Sequence, residues 1–185
     1  MSEIIIQDYS PQWPLAFEKL KSAYQIALGL LIADVQHEGS TSVVGLAAKP
    51  VIDIDIIIPD NECLPQVVVK LGELGYKHRG DLGIAGREAF TLIANVHQWP
   101  KHNLYVCMAD SISLKNHLAL RDWLRCHPES VREYSELKKQ LAIKYAHNID
   151  LYVEGKTAFI TDILRRAGFN ETALQEITNA NKAKL

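Results

Sequence analysis

Residues 51–58 read V-I-D-I-D-I-I-I and stand between Pro50 and Pro59. A run of this length, bounded by prolines and dominated by β-branched side chains, is a strand rather than a helix. Side chains alternate along a strand, so Ile52, Ile54, Ile56 and Ile58 share one face. Asp53 and Asp55 project together from the other, flanked by Val51 and Ile57. Two like charges side by side repel each other and resist loss of water, so the fold has to bring something cationic to them. A divalent metal does this directly. A hard cation takes carboxylate oxygens and commonly shares its remaining positions with substrate phosphate. The competing reading is a structural ion-pair network with lysine or arginine.

A second constraint lies just upstream, where residues 37–42 read H-E-G-S-T-S after a short apolar segment at 32–35. Gly39, Ser40 and Thr41 have the composition of a strand-to-helix turn whose N–H groups and hydroxyls hold a phosphate; the plainer alternative is a tight turn with a capping hydroxyl. Lys49 is placed to neutralise either a phosphate or Asp53. Arg87, in a loop with Gly83 and Gly86, has the chemistry of a bidentate anion clamp, weighed against an ordinary surface arginine. His37 and His102 are weighed as ligands or as structural histidines. The other five, His117 among them, show no mutual metal-binding spacing and are assigned nothing.

A chain of 185 residues, 48% of them hydrophobic, buries one sizeable core, so one domain is expected over residues 1–170 with a polar tail or short helix at 171–185. A formal net charge of −2 gives no basic field for long DNA or RNA. Cys63, Cys107 and Cys126 have no C-x-x-C spacing and read as free thiols in a reducing compartment. With no basic amino-terminal leader and no membrane-length apolar run, the expected location is the cytoplasm, away from membranes.

Helical patterns are predicted from Trp13 to about Leu31, over 61–75, from Asp110 or Ser111 to His127, from Pro128 through Tyr145, and over 152–167. A half-helix is expected from the Gly-Ser turn through Ala48. Strands are expected at 88–96 and 103–108 as an antiparallel hairpin, joined by a turn-like connection at 97–100.

Taken together, a Gly-Ser turn followed by a hydrophobic-Asp-hydrophobic-Asp strand resembles the core signature of the nucleotidyltransferase superfamily, the DNA polymerase beta-like fold. The stretch G-S-T-S-V-V-G-L-A-A-K-P-V-I-D-I is similar to the hallmark of the GrpB family, relatives of which also occur fused to dephospho-CoA kinases. Asp8-Tyr9 with Trp13, Gly80-Asp81-x-Gly83-Ile84 with Gly86-Arg87, Arg121-Asp122-Trp123-Leu124-Arg125 and Gly155-Lys156 extend the resemblance over nearly the whole chain. It implies an α/β (α+β) fold with a mixed β-sheet flanked by helices and a helical C-terminal half. It also implies Mg2+ or Mn2+ on Asp53 and Asp55 and a triphosphate held by Gly39 and Ser40, with Thr41, Lys49 and Arg87 expected to join them in nucleotide binding. The expected function is metal-dependent transfer of a nucleotidyl or phosphoryl group from a nucleoside triphosphate to a small acceptor. The alternative is a catalytically inactive nucleotide- or coenzyme-binding regulatory module. The resemblance raises that alternative itself: active superfamily members usually add a third carboxylate from a later strand. Where the GrpB pattern has His-His-Leu-His-Val, this chain has His102-Asn103-Leu104-Tyr105-Val106.

Overall fold

The alternating run becomes β2 (Ile52–Ile58), the second strand of a five-stranded mixed sheet, in a computed structural model that describes residues 3–93 and 99–182. The others are β1 (Asp34–Glu38), β3 (Tyr76–His78), β4 (Arg87–Leu92) and β5 (His102–Met108), in the order β1-β2-β5-β4-β3. β2 and β5 run parallel; every other pairing is antiparallel. The expected pairing of 88–96 with 103–108 is present as β4 on β5. Residues 94–98, which include the end of that expected strand and part of the connection at 97–100, lie outside the described residues.

The isoleucine face of β2 carries the core. Ile52, Ile54, Ile56 and Ile58 pack against α1 (Gln12–Leu28) and α2 (Leu64–Glu73), through Phe17, Leu20 and Tyr24 of the first and Val67 and Leu71 of the second. Fully burying one such side chain is worth about 1.5–3 kcal/mol, so this layer supplies a large part of the driving force for folding. Trp13, Phe17, Leu20, Tyr24 and Leu28 recur at three- and four-residue intervals and are all buried, as an amphipathic helix requires. α1 stops at Gly29, whose φ of +53° breaks the helix. Residues 29–31, expected to be helical, form a separate 3-10 turn.

The aspartate face is covered by the C-terminal helices α3 (Ile112–Cys126), α4 (Pro128–Lys144) and α5 (Ile149–Arg166), followed by α6 (Glu171–Ala180). Ser111 caps α3, Pro128 opens α4, and Asn148 and Asn170 cap α5 and α6 through their side-chain oxygens, each supplying an acceptor or a pre-set φ where helix starts need one. α4 and α5 approach closely at Gly155, where a Cβ would lie 2.6 Å from Leu141 Cδ2. No helix among the described residues is long and apolar enough to cross a membrane.

The expected half-helix after the Gly-Ser turn is corrected to a single 3-10 turn, Ser40–Ser42. Ser42 Oγ bonds back to the Gly39 carbonyl at 2.6 Å, Val43 is extended and Gly45 has φ +81°. A side chain competing for a backbone acceptor, then a β-branched pair and a left-handed glycine, leave nothing for a helix to propagate on.

At the far edge of the core a directed hydrogen-bond chain joins α1, β3 and β5. His102 Nδ1 lies 2.6 Å from the Pro100 carbonyl oxygen and therefore donates. Its Nε2 then accepts from Tyr76 Oη at 2.5 Å, and Tyr76 accepts from Tyr24 at 2.7 Å. This requires neutral imidazole, and burial lowers the His102 pKa from its ordinary 6.5. Because the folded pKa is the lower one, the unfolded chain takes up the proton first. The stability contribution is therefore complete above pH 6.5 and is lost as pH falls through the folded value. Between pH 7.5 and pH 5 the gap in urea midpoint between the wild type and His102→Gln should narrow, because only the wild type loses this contribution; equal pH dependence in the two proteins would refute this role.

Candidate functional site

Strand register decides which side chains meet. β1 runs antiparallel to β2 with Glu38 opposite Asp53 and Gln36 opposite Asp55, while β5 sets Asn103 beside Asp53 and Tyr105 beside Asp55. Register partners share a face, so a third carboxylate joins the aspartate pair, from β1 rather than from the later strand. Glu38 is 4% exposed and Asp55 is fully buried, whereas Asp53 is only partly covered. Asn103 Nδ2 donates to Asp53 Oδ1 at 2.7 Å. Burial raises the pKa of Asp53 against the opposing pull of Asn103, His117, Lys49 and Lys156. Burial, together with the charge of Asp55, also raises that of Glu38.

The cation brought to these acids is a histidine. His117 Nδ1 lies 2.7 Å from Glu38 Oε2 and 2.8 Å from Asp55 Oδ2. Burial by itself would push the imidazole pKa down, but the two carboxylates hold it well above its usual value. Two further residues of α3, at successive four-residue steps, fix the helix over the site. Arg121 donates to Gln36 Oε1 at 2.6 Å and to the His37 carbonyl at 3.2 Å, and Arg125 donates to the Ser42 carbonyl at 3.0 Å. One carboxylate oxygen, Asp55 Oδ1, is buried with no hydrogen-bond partner.

Lysines gather on the other side of Asp53. Lys138 of α4 is 2% exposed; its ammonium donates to Ser40 Oγ at 2.9 Å and to the Ala47 carbonyl, and sits 4.5 Å from the centre of the Tyr134 ring. Lys156 of α5 and Lys49 face the Tyr152 ring at 4.6 and 5.9 Å. Burial, with Lys49 nearby, lowers Lys156 to about 8. Burial also lowers Lys49, and lowers Lys138 strongly with Lys156 adding to it; Asp53 opposes all three shifts. Three ammonium groups within electrostatic reach of one carboxylate make an anion-receptive corner.

Of the residues singled out in the sequence, Asp53, Asp55, Gly39, Ser40 and Lys49 come together here. Thr41 turns inward, with its hydroxyl 3.0 Å from His37 Nε2 and 3.4 Å from the Val51 carbonyl. Arg87 joins the same face from the β4 side, stacked 4.3 Å over the Tyr105 ring with a buried, unpartnered Nε. His37 and His102 are register partners of Ile54 and Ile52 and point into the core. His37 stacks on Phe17, and burial with the charges of Arg125 and Arg121 lowers it to about 4. A cleft of about 740 Å3, lined by residues that include Phe17, Glu18, His37, Ser42, Arg125 and Arg132, lies next to the turn and touches none of Glu38, Asp53 and Asp55. Sequence reasoning missed Glu38, His117, Lys138 and Lys156. The signals that existed were the Glu38 that precedes Gly39 and the Gly155-Lys156 pair.

A mixed sheet with an Asp-x-Asp strand beside a Gly-Ser turn, backed by C-terminal helices, defines a nucleotidyltransferase-like fold. The Cid1 poly(U) polymerase structure with MgGTP bound superposes with a TM-score of 0.52 over 74% of this chain and 44% of that one; at 12% identity the likeness is one of fold alone. More specifically, the chain belongs to the GrpB family, described as GrpB protein, whose profile matches residues 3–166. The crystal structure of GrpB from Enterococcus faecalis shares 32% identity and a TM-score of 0.77, covering 93% of this chain and 98% of that one. UPF0157 protein YqkA of Bacillus subtilis is 35% identical over 85% of this chain, which spans only 45% of YqkA.

Gly39 has φ +65° and ψ −171°, a conformation essentially reserved for glycine, and a Cβ there would lie 2.2 Å from Asp53 Oδ2. Gly39→Ala should therefore lower the thermal midpoint, with a backbone term of about 1–3 kcal/mol and the displacement of Asp53 added to it. Gly29→Ala, at φ +53° with open space around the new methyl, carries only the backbone term and should cost less. Equal losses in thermal melts of the two variants would refute the close approach.

Proposed function

We propose that this chain transfers a nucleotidyl or phosphoryl group from a nucleoside triphosphate to the hydroxyl of a small acceptor, in the cytoplasm. The observation that carries the reading is Asp53, opposite Glu38 in the strand register, directly against Gly39 of the turn and within electrostatic reach of Lys49, Lys138 and Lys156. Ser40, Lys49 and Lys156 would bind the phosphate chain, the two lysine charges offsetting what collects on the departing phosphate oxygens, with Lys138 holding Ser40 in place. The partly exposed Asp53 would take the proton of the acceptor hydroxyl as its oxygen bonds to phosphorus. Burial raises its pKa, towards that of a working base.

The buried, unpartnered Asp55 Oδ1 and the three grouped carboxylates fit a divalent cation, Mg2+ or Mn2+ in the superfamily pattern. A cation held on this face by Asp55, beside Asp53 rather than on it, would supply Lewis-acid stabilisation of the phosphate oxygens. Free thiols at Cys63, Cys107 and Cys126 support the cytoplasmic assignment.

A second reading is favoured by one observation: β5 presents Asn103 and Tyr105 beside the two aspartates, with no carboxylate at either position. In that reading the chain binds a nucleotide or coenzyme and regulates without turnover.

The experiment is a thermal-shift screen against nucleoside triphosphates with Mg2+, Mn2+ or chelator, followed by radiolabel transfer with the ligand that binds. A ligand at a hundred times its Kd adds about 2.7 kcal/mol, several degrees for a chain of this size. Asp53→Asn keeps the acceptor for Asn103 and so should fold. Both Asp53→Asn and Asp55→Asn should abolish transfer. Full activity in both variants would sink the transferase, and binding without transfer under every metal would establish the regulatory module.

A further inference from the structure

We propose that Glu38, Asp55 and His117 form a binding site for one first-row transition ion of the Mn2+, Fe2+ and Zn2+ class, in preference to Mg2+. The three side chains come from β1, β2 and α3, and each offers a ligand atom within 4.8 Å of the other two. Asp53 is not a member of this group. Its Oδ1 is taken by Asn103 and its Oδ2 lies against Gly39.

Here His117 Nδ1 serves both Glu38 Oε2 and Asp55 Oδ2, while Asp55 Oδ1 is buried with no nitrogen or oxygen partner and only the weakly donating Cys107 thiol beside this carboxylate, a condition that costs free energy unless a ligand relieves it. The site is also built in advance. Arg121 and Arg125 pin α3 to β1 and to the turn, so the imidazole is delivered by a helix that has little freedom to withdraw. Supporting contacts of this kind orient metal ligands.

The chemistry of the donors selects the ion. Mg2+ takes oxygen ligands in near-octahedral geometry and keeps several waters. A nitrogen donor beside two carboxylates instead matches the preferences of first-row transition ions for mixed imidazole and carboxylate sets. The inference rests on the transferase reading only for the statement that this face carries a cation, and its test needs no nucleotide.

The test uses the full chain stripped with chelator and titrated separately with Mn2+, Zn2+ and Mg2+ by calorimetry. The Mn2+ complex is then examined by pulsed electron paramagnetic resonance for coupling to imidazole nitrogen. Expected are one Mn2+ or Zn2+ per chain, at least tenfold tighter than Mg2+, a nitrogen coupling in the wild type, and at least tenfold weaker binding in His117→Ala and in Glu38→Gln. The spectroscopic arm depends on no variant and stands if one fails to fold. Absence of the nitrogen coupling, tighter binding of Mg2+, no stoichiometric binding of any of the three ions, or a site lost in Asp53→Asn and retained in His117→Ala would each overturn the proposal. Metal binding as expected with no phosphoryl transfer would leave the site standing and remove only the transferase.

Discussion

Period-two alternation in β2 forces a choice that the rest of the molecule has to accommodate. If four isoleucines are to seed the core, Asp53 and Asp55 must emerge together from the opposite face of a central strand. Buried carboxylate charge is expensive unless compensated. The helices covering that face are accordingly organised by charge as well as by apolar packing: α3 lays His117 between Glu38 and Asp55, and α4 and α5 bring Lys138 and Lys156 within electrostatic reach of Asp53. The apolar cluster beneath those helices, built from Leu46, Leu124, Val131, Tyr134 and Ile163, holds them in place, but their cationic side chains explain why they sit over this face.

Gly39 is the point where the two charge systems touch. On one side its Cα admits Asp53 Oδ2 to a distance no other residue would allow. On the other, the next residue, Ser40, receives the Lys138 ammonium. Removing Lys138 would leave Ser40 Oγ and the Ala47 carbonyl without this donor, and an abandoned acceptor in a buried site costs more than a typical net hydrogen bond contributes. The close packing of α5 on α4 at Gly155 belongs to the same arrangement, because it brings Lys156, the next residue, towards the corner that Lys138 occupies.

How much of this was legible follows from the range of each interaction. β2 was readable because prolines bound it and its period is local. α1 and α4 were readable because apolar positions at three- and four-residue steps need no partner to be recognised. Glu38 was not: its place beside Asp53 depends on β1 running antiparallel to β2 in one register, and a shift of one residue would have sent it into the core. His117 meets Asp55 across 62 residues and Lys138 meets Ser40 across 98. No spacing rule reaches such pairs; they are set by where α3 and α4 dock. The half-helix after the turn was misread because Ser40, Thr41 and Ser42 suit a helix start, while Gly45 and the β-branched Val43 and Val44 act against continuing it.

The division of charge around the turn also constrains how the two parts of the fold depend on each other. Glu38, Asp53 and Asp55 belong to the sheet, while His117, Lys138 and Lys156 belong to the helical half. Apolar packing crosses between them, with Val43 and Leu46 of the turn segment beneath the helices and Ile4 against Ala142 and Tyr152, and polar contacts at the turn add to the registration: Arg121 to Gln36, Arg125 to Ser42 and Lys138 to Ser40. Any ligand that engages the carboxylates and the lysines together spans that junction and binds only the docked arrangement. Its free energy of binding therefore stabilises the helices on the sheet by mass action. Occupancy of the site and rigidity of the junction are one equilibrium, because the same side chains that would hold the ligand hold the fold's two parts in register.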